Sequence, residues 1–341
     1  MKVATLQFSP TLGDVEGNIK RADAILDEAS GRIIEGLDLL VLPEMIFSGY
    51  NFSSLRTISP YLEPTAAGRS SAWARSTARH LGCVVCVGYP EICTTQSAHV
   101  ENQDYIQEGA KRFNSLLIVD DSGNVLLNYQ KRFLYYTDNS WALEGENGKG
   151  FLFLPGSTQG SSQREYIPAA VGICMDINPY KFIAPYSAYE FATHVLDSGA
   201  KIVILSMAWL TLLPAEELFS RAGVPDTDTF QYWIQRFWPL FTKDDWDGEE
   251  IIVIIANRTG EEAGLEGKDT ARYAGTSCVI GIRRVAKADT HGDEKAKEGG
   301  RYFDTEIVLW GRLGRAEEGL CFVDTDKPPK AVFRVIRNPE Q

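Results

Sequence analysis

Ala169-Ala170-Val171-Gly172-Ile173-Cys174-Met175-Asp176 is the stretch on which the reading of this chain turns. Five small and apolar residues run directly into a thiol and a carboxylate, and the chain then turns through Asn178-Pro179. A short unbroken apolar run reads as a strand covered on both faces. The polar ends of such strands are where open α/β sheets place groups that touch a ligand. Two other places repeat the pattern. Leu39-Leu40-Val41-Leu42-Pro43 delivers Glu44 ahead of the turn Gly49-Tyr50-Asn51, and Tyr129-Gln130 delivers Lys131 and Arg132.

Further β-branched runs, at residues 2–8, 83–88, 202–206 and 251–256, alternate with helical patterns. Ile19, Ala22, Leu26, Ala29 and Ile33 recur at steps of three and four, which lays one apolar stripe along a helix. A second helix is expected over 185–198, closed by Gly199. Residues 113–120 and 125–130, joined by Asp121-Ser122-Gly123-Asn124, read as a hairpin, so strands of both orientations are expected. The segments 98–111 and 287–301 are polar and are expected to be surface excursions. No repeat and no domain boundary appears, so the prediction is one large α/β domain over 1–341.

Composition narrows the function. The chain has 341 residues with 44% hydrophobic and 23% charged, which is that of a folded globular protein. Its 34 basic and 46 acidic residues leave a net charge of −12, so a nucleic-acid surface of clustered Lys and Arg is not expected. No apolar run approaches the roughly 20 residues of a membrane helix, so no membrane partner is expected either. The opening MKVATLQFSP alternates like a strand and lacks the apolar core of a secretory signal. The six cysteines sit mostly in apolar runs, as free thiols do, and Cys83-x-x-Cys86 has no second pair to complete a metal site. Together these predict a cytoplasmic protein.

Singly, Glu44, Lys131 and Cys174 each have a structural reading: a cap or ion-pair carboxylate, a solvated ammonium, a small buried thiol. Taken together, they are the three parts an amide-cleaving cysteine enzyme without histidine requires. The four histidines, His80, His99, His194 and His291, lie in helical or polar contexts rather than at strand ends, which disfavours a Cys-His pair. No metal-ligand spacing and no Gly-rich phosphate loop occurs, so neither metal nor cofactor is expected.

With those residues in view, the sequence resembles the nitrilase or carbon-nitrogen hydrolase superfamily over nearly its whole length. The motifs are LPE at Glu44, QK at Lys131 and GICMD at Cys174, with the opening VATLQFSPTLGDVEGN, the RFNSLLIVDDSG hairpin, ANRTG, YAGTSCVIG and GLCFVDTD. Where that superfamily usually continues Cys-Tyr-Asp and Arg-Phe-Pro, this chain has Cys174-Met175-Asp176-Ile177-Asn178-Pro179-Tyr180-Lys181-Phe182. With LPEMIFSGYNF and FLYYTD, that tail is similar to the fungal type of protein N-terminal amidase, which deamidates N-terminal Asn and Gln.

The resemblance implies an αββα sandwich and a Glu44-Lys131-Cys174 triad that needs no cofactor. Glu44 would be the general base, Cys174 the nucleophile, and Lys131 with the Met175 N–H the oxyanion donors. Glu144 is the candidate for a second carboxylate that orients the lysine or the substrate; alternatively Glu144 or Glu146 is a solvated loop residue. Asp176 is the candidate partner of the substrate ammonium, or else it orders the turn after its strand. The aromatic stretch 230–241 and Trp209 are expected either to pack on the sheet and at an oligomer contact or to line a peptide groove. A homodimer is compatible with the family. The implied partners are peptides and proteins beginning with Asn or Gln, and the implied outcome is N-degron turnover. A small-molecule amidase or ω-amidase of the same superfamily is the alternative, and an idle binding module the third reading.

Overall fold

Alternation along the strands divides their side chains between two layers, and that division builds the molecule. Val3, Leu39, Val41, Val84, Cys86, Leu116 and Ile118 point one way and share a core with the other sheet. Ala4, Leu6, Leu40, Leu42, Val85, Val87, Leu117 and Val119 point the other way, into a separate core. The period of two that sends neighbours to opposite faces thus explains why these strands are apolar on both sides. The computed structural model describes residues 1–29, 35–93, 109–156, 165–242, 249–286 and 303–335.

The first seven-stranded sheet runs, in spatial order, Gly319–Asp324, Lys2–Gln7, Leu39–Val41, Val84–Cys93, Lys111–Val119 and Val125–Gln130, with Glu63–Pro64 paired beside Val84–Cys93. The second runs Ala331–Val335, Phe303–Arg312, Cys278–Ala286, Ile251–Asn257, Ile202–Met207, Tyr166–Ile173 and Gly150–Pro155. Helices Val15–Ala29 and Arg69–Leu81 cover the first sheet through Ala22, Ile25, Leu26, Trp73, Ala74 and Ala78. Helices Glu190–Asp197, Thr227–Arg236 and Trp238–Thr242 cover the second through Phe191, Val195, Trp233 and Leu240, with Phe237 between the last two helices. This is the expected αββα sandwich. Among the described residues no helix is long and apolar enough to cross a membrane.

The expected 113–120 and 125–130 hairpin forms, starting two residues earlier at Lys111. The expected helix over 185–198 is shorter than the sequence suggests. Two 3-10 turns, Tyr180–Phe182 and Tyr186–Ala188, precede it, and Tyr189 at φ +46° breaks the chain just before Glu190. An apolar period cannot register a single left-handed residue, which is why the start was misplaced. The segment 287–301 lies outside the described residues, as do 98–108, Ile33, His99 and His291; of the remainder of 98–111, Lys111 belongs to a strand. Cys83 and Cys86 are free thiols in different core layers, as expected of structural cysteines.

In the first sheet, Lys2–Gln7, Leu39–Val41 and Val84–Cys93 are parallel. So are Tyr166–Ile173, Ile202–Met207 and Ile251–Asn257 in the second. The carboxyl ends of these strands deliver Glu44, Cys174, Ala208 and Arg258, and a bond from Ser206 Oγ to Leu42 O (2.9 Å) ties the two sheets together beside them.

Gly88 sits against the turn that carries Glu44. A Cβ there would lie 2.7 Å from Glu44 Cα and from Met45 N, too close for any rotamer to relieve because the obstacle is backbone. Gly88→Ala is expected to destabilise the protein by about 1–3 kcal/mol and to lower its activity by moving Glu44. Thermal unfolding together with turnover measures both; an unchanged melting temperature would show that the turn yields freely.

Candidate active site

Glu44, Lys131 and Cys174 come from three strand ends and meet at one place. Lys131 Nζ donates to Glu44 Oε1 at 2.6 Å and to Asp138 Oδ2 at 2.7 Å, and all three side chains are 0% exposed. Asn114 Nδ2 bridges the two acids, 2.6 Å from Glu44 Oε1 and 3.0 Å from Asp138 Oδ1. The remaining oxygen of Glu44 accepts the Ala208 N–H at 2.8 Å, and Asp138 also accepts the Tyr135 N–H at 3.0 Å. Every charged atom of the cluster is therefore solvated by protein rather than by water, the condition for burying charge at acceptable cost.

Cys174 ends its strand at φ +42°, a left-handed angle that a residue with a Cβ adopts only when its surroundings impose it. The strain turns the thiol out of the sheet and starts a 3-10 turn over Cys174–Ile177. Met175 therefore heads a helical turn, where the first backbone N–H groups have no partner within the helix and are available to an oxygen.

The electrostatics assign protons. Burial pushes the Cys174 thiol well above its ordinary range, the Glu44 charge adds to this, and Lys131 and the Ala208 N–H oppose it. Glu44 is likewise raised by burial, against Lys131, with Asp138 pushing the same way as burial. Burial alone would lower Lys131, but Asp138 and Glu44 outweigh it and hold the ammonium charged. Two carboxylates flanking one ammonium leave a net negative cluster, and beside it the sulfur rests as a neutral thiol.

Cys174 and Met175 form part of a cavity of roughly 300 Å³ whose other walls are Tyr50, Tyr135, Asn178, Phe182, Ala208, Trp209, Leu210 and Tyr232. That volume is at the lower end for small-ligand sites, about 300–1,000 Å³. Lys131 Nζ lies 5.6 Å from the Tyr50 ring centroid. Trp209 is held by Asn257, whose Oδ1 accepts its backbone N–H at 2.7 Å. Phe182 and Tyr136 stack at 6.0 Å with Tyr136 69% exposed, so this side of the cavity opens to solvent through aromatic rings.

Two sequence-based candidates stand elsewhere. Asp176 is buried with its carboxylate taken up by Tyr129 Oη (2.8 Å) and the N–H groups of Ile173 (2.8 Å), Phe133 (2.9 Å) and Arg132 (3.2 Å). It faces a different cavity from Cys174, so the expected ammonium contact gives way to the alternative role of ordering the turn. Glu144 is 41% exposed and pairs with Tyr180 Oη (2.7 Å) and Lys181 Nζ (3.3 Å) rather than with Lys131. Glu146 pairs with Lys111 at 2.7 Å on the surface.

The second carboxylate on the lysine is Asp138, in FLYYTD, and the amide that bridges the acids is Asn114, in RFNSLLIVDDSG; both stretches carry the family resemblance, but neither residue has a role legible in sequence. Asp138 lies in a 3-10 turn seven positions after Lys131. Its only signal was that a carboxylate on so short a loop has little freedom to leave the lysine. The 230–241 stretch divides: Trp233 and Phe237 are core, whereas Tyr232 lines the cavity. Among the described residues no cluster could hold a metal ion.

Comparison with known proteins agrees with this geometry. The carbon-nitrogen hydrolase family matches residues 2–185. The chain is 33% identical to the protein N-terminal amidase of Schizosaccharomyces pombe, over 88% of this chain and 97% of that one. It is 34% identical to the protein N-terminal amidase of Saccharomyces cerevisiae over 62% of this chain and 45% of that one. A crystal structure of an N-terminal amidase with a Gln-Gly peptide shares the fold, with a TM-score of 0.73 at 22% identity over 99% of both chains. A fold, a strand-end cysteine beside a buried Glu-Lys pair, and a full-length relative thus converge: the chain belongs to the carbon-nitrogen hydrolase family and is related within it to the protein N-terminal amidases of yeasts.

Proposed function

We propose that this chain hydrolyses the side-chain carboxamide of N-terminal Asn and Gln in peptides and proteins, releasing ammonia. The observation that carries the proposal is the buried Glu44-Lys131-Asp138 cluster beside Cys174, at an aromatic cavity open on one side. The yeast relatives bear the name of this activity.

Because the thiol is neutral at rest, the reaction starts with Glu44 withdrawing the Cys174 proton as Sγ bonds to the carboxamide carbon. Charge moves to the former carbonyl oxygen, which Lys131 and the Met175 N–H stabilise as it forms. Collapse breaks the C–N bond, and Glu44 returns its proton so that ammonia leaves. Glu44 then takes a proton from water as its oxygen attacks the thioester, and the second collapse frees a carboxylate and restores the thiol. The product carries one more negative charge than the substrate and lies beside a net negative cluster, so repulsion favours its release.

The α-ammonium of an N-terminal residue meets no carboxylate among the cavity residues. We assign its recognition to the faces of Trp209 and Tyr232, which lie 5.5 Å apart and attract a desolvated cation by about 0.5–2 kcal/mol each. The mouth beside Phe182 lets the polypeptide leave. On a protein the reaction replaces a neutral N-terminal side chain with an acidic one, and we place it in the cytoplasm, upstream of N-degron turnover.

Wild type should release ammonia from a short peptide beginning with Asn, but not from its acetylated twin or a small amide, and Cys174→Ala should abolish release. Release from the small amide alone would favour a small-molecule amidase. Trp209→Leu should raise KM for the free-amine peptide by about tenfold with kcat little changed; an unchanged KM would place the ammonium elsewhere.

The pH profile tests the assignment of the base. Glu44 must be ionised to accept the thiol proton, and its acidity is weakened, so kcat/KM should fall as pH drops through a value above the ordinary glutamate range. Asp138 pushes Glu44 upward, so Asp138→Asn should shift that acid limb to lower pH while reducing kcat. An acid limb that stays in place would mean another group sets it.

A further inference from the structure

One buried ion pair has no part in the chemistry above. Arg258, in the ANRTG stretch, reaches Glu262 Oε1 at 2.5 Å, and their side chains are 0% and 1% exposed. Glu262 gathers more than this one partner. Its Oε2 accepts the Asn51 N–H at 2.7 Å, the Tyr50 N–H at 3.0 Å and the Tyr273 hydroxyl at 2.7 Å. The Tyr273 ring in turn lies 4.6 Å from the Arg258 guanidinium. The backbone carbonyl of Glu262 accepts the Asn51 side-chain amide at 3.1 Å.

The turn so held is the one that carries Tyr50 into the active-site cavity. It could not accept the carboxylate with an ordinary residue at position 49. Gly49 has φ +84°, and a Cβ there would stand 2.6 Å from Glu262 Oε1 and 2.8 Å from Leu12 Cα. Tyr50 is 3% exposed, shares the cavity with Cys174, and presents its ring to Lys131 at 5.6 Å. Its phenol is raised by burial and then by Asp138, Glu44 and Cys174, so it stands within electrostatic reach of the whole cluster.

A buried ion pair is weak evidence for stability, because desolvation consumes most of what the charges gain, and an apolar pair of similar volume is often as stable. What the charge does supply here is two charge-assisted bonds to successive backbone N–H groups, which fix a turn more tightly than neutral acceptors would. We propose that Glu262 is a positioning residue of the active site: through the N–H groups of Tyr50 and Asn51 it sets where the Tyr50 ring stands against Lys131 and Cys174. Its activity readout rests on the amide-cleaving reading given above, whereas its geometry does not.

The test pairs stability with activity. Arg258→Met/Glu262→Met replaces the ion pair with apolar side chains, and it is compared with wild type in the native background and in Tyr50→Ala. The Met pair leaves the buried Tyr50 and Asn51 N–H groups and the Tyr273 hydroxyl without their acceptor, so it is expected to melt below wild type and to lose about 100-fold in kcat/KM, the cost of a misplacement near one ångström. It should have no further effect once Tyr50 is alanine, since a group acting through Tyr50 is silent without it. Full activity of the folded Met pair would overturn the proposal, as would an equal loss in the Tyr50→Ala background. If the Met pair does not fold, Glu262→Gln in both backgrounds decides by the same comparison.

Alkylation of Cys174 by iodoacetamide separates this proposal from the amidase reading. A wild type that alkylates at Cys174 but releases no ammonia from the Asn peptide overturns that reading alone. The positioning role is then read from the alkylation rate, which should change by about tenfold with Tyr50 present and not without it.

Discussion

The Lys131 ammonium, held between two carboxylates out of contact with water, is the constraint to which the active site is built. Moving such charges from water costs several kcal/mol per ion even after relaxation, and the cost is recovered only if each oxygen and each N–H finds a fixed partner. The partners come from everywhere in the fold. Asn114 reaches in from the strand next to the edge of one sheet, Ala208 from the end of a strand in the other, and Tyr135 from the loop after Lys131 itself. Closing the sandwich and solvating the cluster are thus one event, and Gly88 marks how closely the backbone must approach to achieve it.

The same cluster dictates how the thiol can react. A cysteine beside a histidine can exchange its proton in advance and wait as a thiolate, but here a thiolate would face two carboxylates with only one ammonium to balance them. Burial and Glu44 both hold the proton on sulfur, and Lys131 and the Ala208 N–H offset them only in part. In the proposed reaction, proton transfer therefore accompanies bond formation. In the reaction proposed above, developing charge then passes to the substrate oxygen, where Lys131 and a backbone N–H would meet it, which is the transition-state complementarity that accelerates a chemical step rather than mere binding.

What the sequence made legible follows from what is local. The strand-end positions of Glu44, Lys131 and Cys174 were readable because an apolar run that stops at a polar residue is a feature of neighbouring positions, and strands covered on both faces were readable from unbroken apolar runs, whereas the αββα sandwich came from the family resemblance. Asp138 and Asn114 were not readable. Asn114 occupies a strand interior, where an amide resembles any outward-facing polar residue until the ends of other strands in its own sheet turn out to supply two carboxylates. Glu144 is the carboxylate that sequence singles out and Asp138 carries no signal beyond its nearness to Lys131, because which acid of that stretch turns inward depends on the 3-10 turn at Asp138–Ser140. Tyr189 shortened a predicted helix for a similar reason: one left-handed residue leaves the apolar period intact.

The misplaced Asp176 carries the physical lesson furthest. A cationic substrate suggests an acidic pocket, and the nearest acid in sequence was the natural choice. That expectation ignores the charge already present. At an effective dielectric of about 20, a further carboxylate some 6 Å from Cys174 would add about 3 kcal/mol of repulsion, or roughly two pK units, to forming any negative charge on sulfur. It would oppose the oxyanion by the same mechanism. Aromatic faces attract a cation through their quadrupole without bringing net charge, and the quadrupole field falls off more steeply than that of an ion. A cavity walled by Tyr50, Tyr135, Trp209 and Tyr232 can thus receive an ammonium at its mouth and leave the potential at the nucleophile nearly unchanged. Asp176, spent on four hydrogen bonds that shape the turn after Cys174, serves the same end by keeping its charge turned away from the cavity.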